Sequence, residues 1–287
     1  MNRLATDKRA TIIRALVEGN SVRSTARLTG SAKATVLKLL VELGDFCSIY
    51  QYHALRDLKA TRVECDEIWA YCNAKAKNAS KPGQGDLWTF TAIDADCKLI
   101  FSWLVGQRVQ QSAQRFLHDV ASRLANRVQL TTDGHPMYLT AVENAFGWAM
   151  VDFAQLVKTY ATTTDVDASR RYSPAVCTGA VKTTIMGRPD PDLISTSYVE
   201  RANLSMRMGM HRFTRLTNAF SKKAENHAHA VSLYFMFYNY CRPHQTLTKA
   251  ANGVKTTPAM AAGVSVSDHV WTVEEILGLM SPDYLLQ

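Results

Sequence analysis

Hydrophobic residues recur at helical spacing in the first 44 positions of the chain. They form three stripes, Ile12 to Val17, Val22 to Leu28 and Val36 to Val41. The breaks between the stripes, Gly19-Asn20-Ser21 and Gly30-Ser31, each offer a serine as an N-cap. The pattern predicts a small all-α domain of three helices over residues 1–44, and the aperiodic residues 45–60 that follow are interpreted as a linker.

The second and third predicted helices are joined by a turn that contains Gly30. This arrangement is typical of a helix-turn-helix, whose second helix lies in the major groove of DNA. If the apolar stripe of that helix faces inward, its polar residues near the start face outward. We therefore predict Ser31, Thr35 and Lys38 as DNA-reading residues. An ordinary three-helix bundle with a solvated basic face is the alternative.

From residue 61 the helical spacing gives way to extended segments rich in β-branched and aromatic residues. Three of them, separated by turn residues, predict an antiparallel meander: Thr61 to Tyr71, Leu87 to Asp94 and Leu99 to Val105. Further elements are predicted in the order helix 112–126, strand 128–132, helix 136–146, strand 149–157, helix 194–210 and helix 219–240. Residues 158–193 lack a clear period and are interpreted as an irregular insertion.

This order of elements is that of the RNase H-like fold. The predicted fold class is therefore α/β, with an RNase H-like mixed-sheet domain over residues 61–245 and an N-terminal all-α helix-turn-helix domain. Residues 246–287 are interpreted as a C-terminal tail.

Composition limits the classes of protein that fit this order. The longest strictly apolar run, Leu233 to Tyr238, is far shorter than the roughly 20 residues of a transmembrane helix. The charged N-terminus lacks the apolar core of a signal peptide. Six cysteines show no metal-site spacing, so they are expected to be buried free thiols. We expect a cytoplasmic protein without a membrane segment.

The positive charge of the chain is concentrated in two regions. The formal net charge is +8, from 33 Lys and Arg against 25 Asp and Glu. Residues 1–40 hold eight of these cations and two acids, and residues 201–223 hold six cations and no acid. Such clusters favour a phosphate backbone as partner. In the second region we predict Asn203, Arg207, Arg212 and Arg215 as DNA contacts, with a solvated helix as the alternative.

Three carboxylates stand where the predicted fold would bring side chains together. Asp66 interrupts the apolar first strand, Asp133 ends the fourth strand, and Glu200 lies on the helix after the insertion. An ionised carboxylate among apolar neighbours is unfavourable unless something binds it, and Mg²⁺ prefers such ligands. The alternatives are an arginine partner for Asp66, an Asp-Gly turn for Asp133 and a solvated helix surface for Glu200. Other acids compete for the role, namely Glu67, Asp94, Asp96 and Asp152.

The sequence around these carboxylates resembles the catalytic blocks of bacterial insertion-sequence transposases of the DDE class, above all the IS-one type. The blocks are Cys65-Asp66-Glu67-Ile68-Trp69, Thr132-Asp133-Gly134-His135-Pro136-Met137-Tyr138 and Tyr198-Val199-Glu200-Arg201-Ala202-Asn203. The basic stretch Leu204 to Lys223 and the segment Tyr238 to His244 are similar to the same family. The resemblance spans about residues 20 to 275.

The resemblance implies a transposase in which Asp66, Asp133 and Glu200 hold two Mg²⁺ or Mn²⁺ ions. Water would attack the phosphodiester at an element end, and the freed 3′-OH would attack target DNA. The partners implied are the inverted repeats and target DNA, both double-stranded, with a homodimer or larger assembly of the protein. The 66 residues between Asp133 and Glu200 exceed the spacing of the IS-one type. A metal-dependent nuclease and a catalytically inactive helix-turn-helix regulator remain alternatives.

Overall fold

A six-stranded mixed sheet forms the centre of the protein. The computed structural model describes residues 4–147, 150–160, 177–214, 218–264 and 267–280. The strands are β1 (Arg62–Cys72), β2 (Gly85–Asp94), β3 (Ile100–Gly106), β4 (Val128–Asp133), β5 (Val151–Tyr160) and β6 (Cys177–Met186). Their order in the sheet is β3-β2-β1-β4-β5-β6.

The strand directions agree with the predicted fold class. β1 is antiparallel to β2 and parallel to β4, β4 is parallel to β5, and β6 returns antiparallel to β5. All five predicted strands are present, and the sixth is an addition at the β5 edge. A mixed α/β sheet of this order is consistent with an RNase H-like fold.

Helices cover both faces of this sheet. They are α1 (Thr6–Val17), α2 (Val22–Thr29), α3 (Lys33–Ala54), α4 (Gln110–Ser122), α5 (Met137–Phe146), α6 (Ser197–Gly209), α7 (Ala224–Met236), α8 (Gln245–Ala250), α9 (Pro258–Ala261) and α10 (Val273–Gly278). α6 packs on β1 and β2, and α4 packs on α5 and β3. Alternate residues of a strand point to opposite faces, and on β1 Asp66 contacts α6 whereas Glu67 contacts α5. The centre of β1 is therefore enclosed between the two helical layers.

The predicted linker over residues 45–60 is wrong, because α3 continues through it to Ala54. The helix packs along α7, and its buried stripe includes Gly44, Cys47 and Gln51. Gln51 donates from Nε2 to the carbonyl oxygens of Cys47 and Ser232. A search for large apolar residues does not count a stripe made of such small and polar side chains.

The three N-terminal helices are present, but they are not separate from the rest of the protein. α1 packs on α10, and α3 packs on α7. Ser21 caps α2 as predicted, since its side chain accepts from the backbone N of Ser24. The predicted cap at Ser31 is wrong, because α3 has Ala32 at its N-cap position and no side-chain cap bond.

The insertion predicted as irregular over residues 158–193 contains regular structure. β5 runs to Tyr160, and β6 pairs with it antiparallel from Phe153 to the end of β5. Every residue of β6 except Met186 is exposed. A strand without a buried face is not required to alternate apolar and polar residues, so its sequence carries little signal. Residues 161–176 lie outside the described part of the chain.

The predicted C-terminal tail is folded as well, up to residue 280. It contains α8, α9 and α10, and Trp271 lies between Tyr50 and Tyr240 with ring centroids 5.5 and 5.0 Å away. The backbone N of Trp271 donates to the carbonyl of Tyr240 at 2.9 Å. This segment therefore packs against α3 and the turn after α7.

Two expectations from composition can be compared with the structure. All six cysteines are free thiols, and four are buried as expected, whereas Cys177 is exposed and Cys241 is half-buried. Among the described residues, no helix has the length and apolarity needed to cross a bilayer.

Candidate functional site

Three carboxylates converge where β4 ends beside the middle of β1. The parallel register pairs Cys65 with Thr132, so that Asp66 lies next to Asp133. Oxygens of Asp66, Glu67 and Asp133 all lie within 4.8 Å of one another. The structure thus brings two of the three predicted carboxylates together, and the third member of the group is Glu67.

The side-chain partner of Asp66 among the described residues is a neutral amide. Oδ2 of Asp66 accepts from Nδ2 of Asn203 on α6 at 2.9 Å, and within the described chain no Lys or Arg forms an ion pair with this carboxylate. Burial and the charges of Glu67 and Asp133 raise the pKa of Asp66 to about 7. The alternative of an arginine partner for Asp66 therefore does not describe this structure.

Glu67 points to the opposite helical layer and has strong partners there. Tyr138 donates from Oη to its Oε2 at 2.7 Å, and Arg108 donates to its Oε1. Arg108 also lies 3.6 Å from Oδ2 of Asp133, and its guanidinium stacks on Trp88. Burial and the charge of Asp133 raise the pKa of Glu67. Arg108 thus neutralises two of the three converging carboxylates.

Asp133 both closes a turn and presents a carboxylate. Its Oδ1 accepts from the backbone N of His135 at 3.0 Å. A Cβ at Gly134 would meet Val157 on β5 at 2.7 Å, so the residue after Asp133 must be small. The predicted Asp-Gly turn is therefore real, and it holds the remaining oxygen of Asp133 toward Arg108 and the other carboxylates.

A fourth acid on β1, Glu64, fixes the helix that reaches this site. Glu64 is 3% exposed, and its Oε2 accepts from the backbone N of Tyr198 and Val199 at 2.8 and 2.9 Å. A carboxylate at a helix N-terminus compensates the unpaired N–H groups and the helix dipole. Burial raises the pKa of Glu64 despite these bonds. The spacing in the sequence indicates that Glu64 lies on the same strand face as Asp66, because residues two apart on a strand point to the same side.

The structure does not place Glu200 in the group of converging carboxylates. Glu200 forms an ion pair with Lys158 of β5, and its Oε1 accepts from Oγ1 of Thr196 at 2.6 Å. Asn203 lies three residues further along α6 and touches Asp66. Since residues three apart are neighbours on a helix surface, the carboxyl of Glu200 belongs to the same face, one turn toward the N-terminus.

The predicted DNA contacts occupy varied environments. Ser31 and Thr35 are half-buried around the start of α3, whereas Lys38 is exposed and pairs with Glu42 at 3.6 Å. Asn203 is buried against Asp66, so its observed role is to position that carboxylate.

The predicted arginines also differ from one another. Arg207 is half-buried on α6, and Arg212 follows that helix in a short turn. Arg215 lies outside the described residues.

Comparisons with known proteins do not assign a family to the chain. No protein-family model and no curated protein matches it. A simian T-cell lymphotropic virus intasome in complex with PP2A regulatory subunit B56 gamma is similar with a TM-score of 0.42 and 12% identity, over 85% of this chain and 72% of that chain. The Mos1 strand transfer complex gives a TM-score of 0.22 and 13% identity, over 82% and 78%. Likenesses this distant support no functional conclusion.

Proposed function

We propose that this protein is a transposase that cleaves DNA at element ends and joins the freed 3′-OH to target DNA. The observation that carries the proposal is the convergence of Asp66, Glu67 and Asp133 at the end of β4, where no described Lys or Arg pairs with Asp66. The same proposal includes a bacterial insertion-sequence origin of the IS-one type and a cytoplasmic location. It also includes DNA reading by Ser31, Thr35 and Lys38, and a homodimer or larger assembly on DNA.

The residues present fit a hard divalent cation. Mg²⁺ binds oxygen ligands at about 2.0–2.1 Å, so only small side-chain movements separate oxygens within 4.8 Å from a shared ion. Oδ1 of Asn203, beside Asp66, is buried without a hydrogen-bond partner. An amide oxygen and a carboxylate without a cation are the donors that Mg²⁺ and Mn²⁺ take.

Each residue at this centre would have a separate role. A bound Mg²⁺ or Mn²⁺, in one or two positions, would supply the Lewis acidity for phosphodiester cleavage and transfer. Asp66 and Asp133 would hold it, and Asn203 would keep Asp66 oriented. Arg108 would balance the charge of Glu67 and Asp133, and its planar guanidinium suits an incoming phosphate.

Glu200 is our proposed third ligand, on the resemblance and on its position one turn from Asn203. In the structure Lys158 neutralises Glu200, and a cation at Asp66 would compete with Lys158 for this carboxylate. Glu67 is the alternative third ligand, because it already lies in the cluster.

A cleavage and joining assay tests the proposed function. The substrate is a duplex that ends in the inverted repeat read from DNA flanking the gene, with a plasmid as target. We expect Mg²⁺-dependent cleavage and joining that falls at least about a hundredfold in Asp66→Asn, because the ligand charge is lost. Asp192→Asn is the matched control, since Asp192 is exposed and is not one of the converging carboxylates. Full activity in Asp66→Asn would refute the metal assignment.

The same assay separates the alternatives. Cleavage without joining would indicate a nuclease, and DNA binding without cleavage would indicate a regulator. We expect Glu200→Gln to lose more activity than Glu67→Gln, and the reverse order would identify the observed cluster as the complete ligand set.

A further inference from the structure

A basic groove lies between the N-terminal helices and the segment that joins α6 to α7. Its volume is about 690 Å³. Arg23 and Lys33 line it on one side, and Arg212, Lys222 and Lys223 line it on the other. Among the described residues that line it, none is acidic. The two basic regions of the sequence thus face each other across one groove.

Arg212 is a half-buried cation within this groove. Its Nη1 donates to Oγ of Ser221 at 3.0 Å, and over the described ranges no carboxylate forms an ion pair with it. Burial lowers the pKa of the guanidinium, but arginine does not give up its proton in proteins. A cation partly withdrawn from water is unfavourable unless an anion compensates it, so the groove favours an anionic occupant.

The partners that hold Arg212 are neutral. Oγ of Ser221 accepts from Arg212 and lies 2.8 Å from Nδ1 of His227, so its own proton points to that nitrogen. Burial, and then the charge of Arg212, lower the pKa of His227 to about 3. The histidine therefore stays neutral near pH 7, and the network fixes the guanidinium without reducing its charge.

A row of aromatic rings runs from the groove along β1 toward the carboxylates. Phe220, which lines the groove, stacks on Tyr71 at 4.9 Å, and Tyr71 lies 5.5 Å from Trp69. Lys222 lies over Phe220, and Lys75 lies over both Trp69 and Tyr71. Tyr71 is buried, whereas Phe220 and Trp69 are partly exposed. Exposed aromatic rings beside cations are typical of surfaces that bind a nucleic-acid strand.

The segment that carries Ser221 is joined to the end of β1. Cys72 and Ser221 form a parallel bridge, and Cys72 is six residues beyond Asp66. At about 3.3 Å per residue the separation along the strand is about 20 Å. Glu67, Trp69 and Tyr71 alternate with their neighbours and share one strand face.

We propose that this groove binds the phosphate backbone of a DNA strand that continues along the Glu67 face of β1 to the cluster of Asp66, Glu67 and Asp133. Arg212 is the fixed central cation, and Lys222, Lys223, Arg23 and Lys33 are the surrounding ones. The destination of the strand rests on the proposed function, whereas phosphate binding in the groove does not.

Fluorescence anisotropy on the full chain in EDTA tests the groove without any metal at the carboxylates. The probes are a labelled duplex and its single strand, titrated at several salt concentrations. Each phosphate contact adds about 0.9 to the slope of log affinity against log salt for duplex and about 0.7 for a single strand. We expect Lys222→Gln/Lys223→Gln to lower the slope by nearly two contacts and the affinity at least about tenfold.

The matched control is Lys249→Gln/Lys255→Gln, which removes the same charge from two exposed lysines outside the groove. We expect this variant to keep most of the affinity. Arg212→Gln is the second test, and it should lower affinity for both probes. Equal slopes in the wild type and in Lys222→Gln/Lys223→Gln would overturn the proposal.

Calorimetry with inorganic phosphate distinguishes a strand site from a small-anion site. Variants that lose phosphate binding but keep DNA affinity would overturn the proposal. Loss of DNA affinity in the groove variants would support phosphate binding in the groove even if the wild type cleaves no DNA. The groove proposal and the transposase proposal can therefore fail independently.

Discussion

Buried and half-buried charges in this protein fall into two groups at the scale of single residues. Glu64 and Glu67 are satisfied by backbone N–H groups, Tyr138 and Arg108. Asp66 and Arg212 have only neutral partners among the described residues. Because a partly buried charge without a counter-charge costs free energy, a cation at Asp66 and an anion at Arg212 would stabilise the protein.

At the same scale, the pKa of His227 predicts how the free energy of unfolding depends on pH. The folded pKa of about 3 lies below the ordinary 6.5, so the unfolded chain takes up the proton first as pH falls. The stabilisation from the neutral ring is complete above about pH 6.5 and is lost toward pH 3. Between pH 7 and pH 5 we expect the wild type to lose about 2 kcal/mol more than His227→Gln.

Urea unfolding at the two pH values measures this difference. His118→Gln is the control, because His118 is exposed on α4, and this variant should lose as much stability as the wild type. Equal losses in the wild type and His227→Gln would contradict the assignment.

At the scale of elements, the contact between α3 and α7 joins the N-terminal helices to the sheet. Its close approach depends on Gly44, where a Cβ would lie 2.5 Å from Cβ of His229 and 2.7 Å from its carbonyl oxygen. Beside it, Asp45 lies 3.4 Å from Nδ1 of His229. A glycine within a helix is ordinarily unfavourable, and here the packing requires it.

Gly44→Ala is expected to destabilise the protein although alanine is the better helix former. The propensity gain is about 1 kcal/mol, whereas overpacking at a fixed contact costs about 1–3 kcal/mol or more. Gly278→Ala is the matched control, since this helical glycine has nothing within 4 Å of its Cβ position. Thermal unfolding of both variants decides the point, and a stabilised Gly44→Ala would show that α3 and α7 can move apart.

At the scale of the whole molecule, both ends of the described chain pack onto one body. Arg14 of α1 pairs with Glu274 of α10, and Trp271 packs against Tyr50 of α3. The three N-terminal helices therefore contribute to the same core as the sheet. A DNA-reading unit on these helices would be rigidly placed relative to the carboxylates.

We expect this body to unfold in one transition that Trp271 supports. Truncation of a buried aromatic residue costs about 3–5 kcal/mol, and Trp271→Ala should lower the midpoint of the whole transition, followed by circular dichroism and tryptophan fluorescence. Val254→Ala, at a 63% exposed site, should leave it unchanged. A separate early transition of the N-terminal helices would contradict a single body.

Sequence periodicity predicted the elements whose burial pattern is simple. The central strands alternate or run apolar because each is covered by helices, and α1, α4 and α5 each bury one apolar stripe. The continuation of α3 and the strand β6 were missed for opposite reasons. The continuation of α3 buries small and polar residues, whereas β6 buries almost none of its residues.

The sequence by itself determined the order of the first five strands and of the helices among them, the placement of Asp66 and Asp133 on neighbouring strands, and the two basic regions. Each follows from local periodicity and residue type. Tertiary structure decided that Glu67 joins the carboxylates, that Lys158 holds Glu200, and that the basic regions share a groove. These are contacts between residues far apart in the chain, and their distances depend on how the helices pack, which no local pattern encodes.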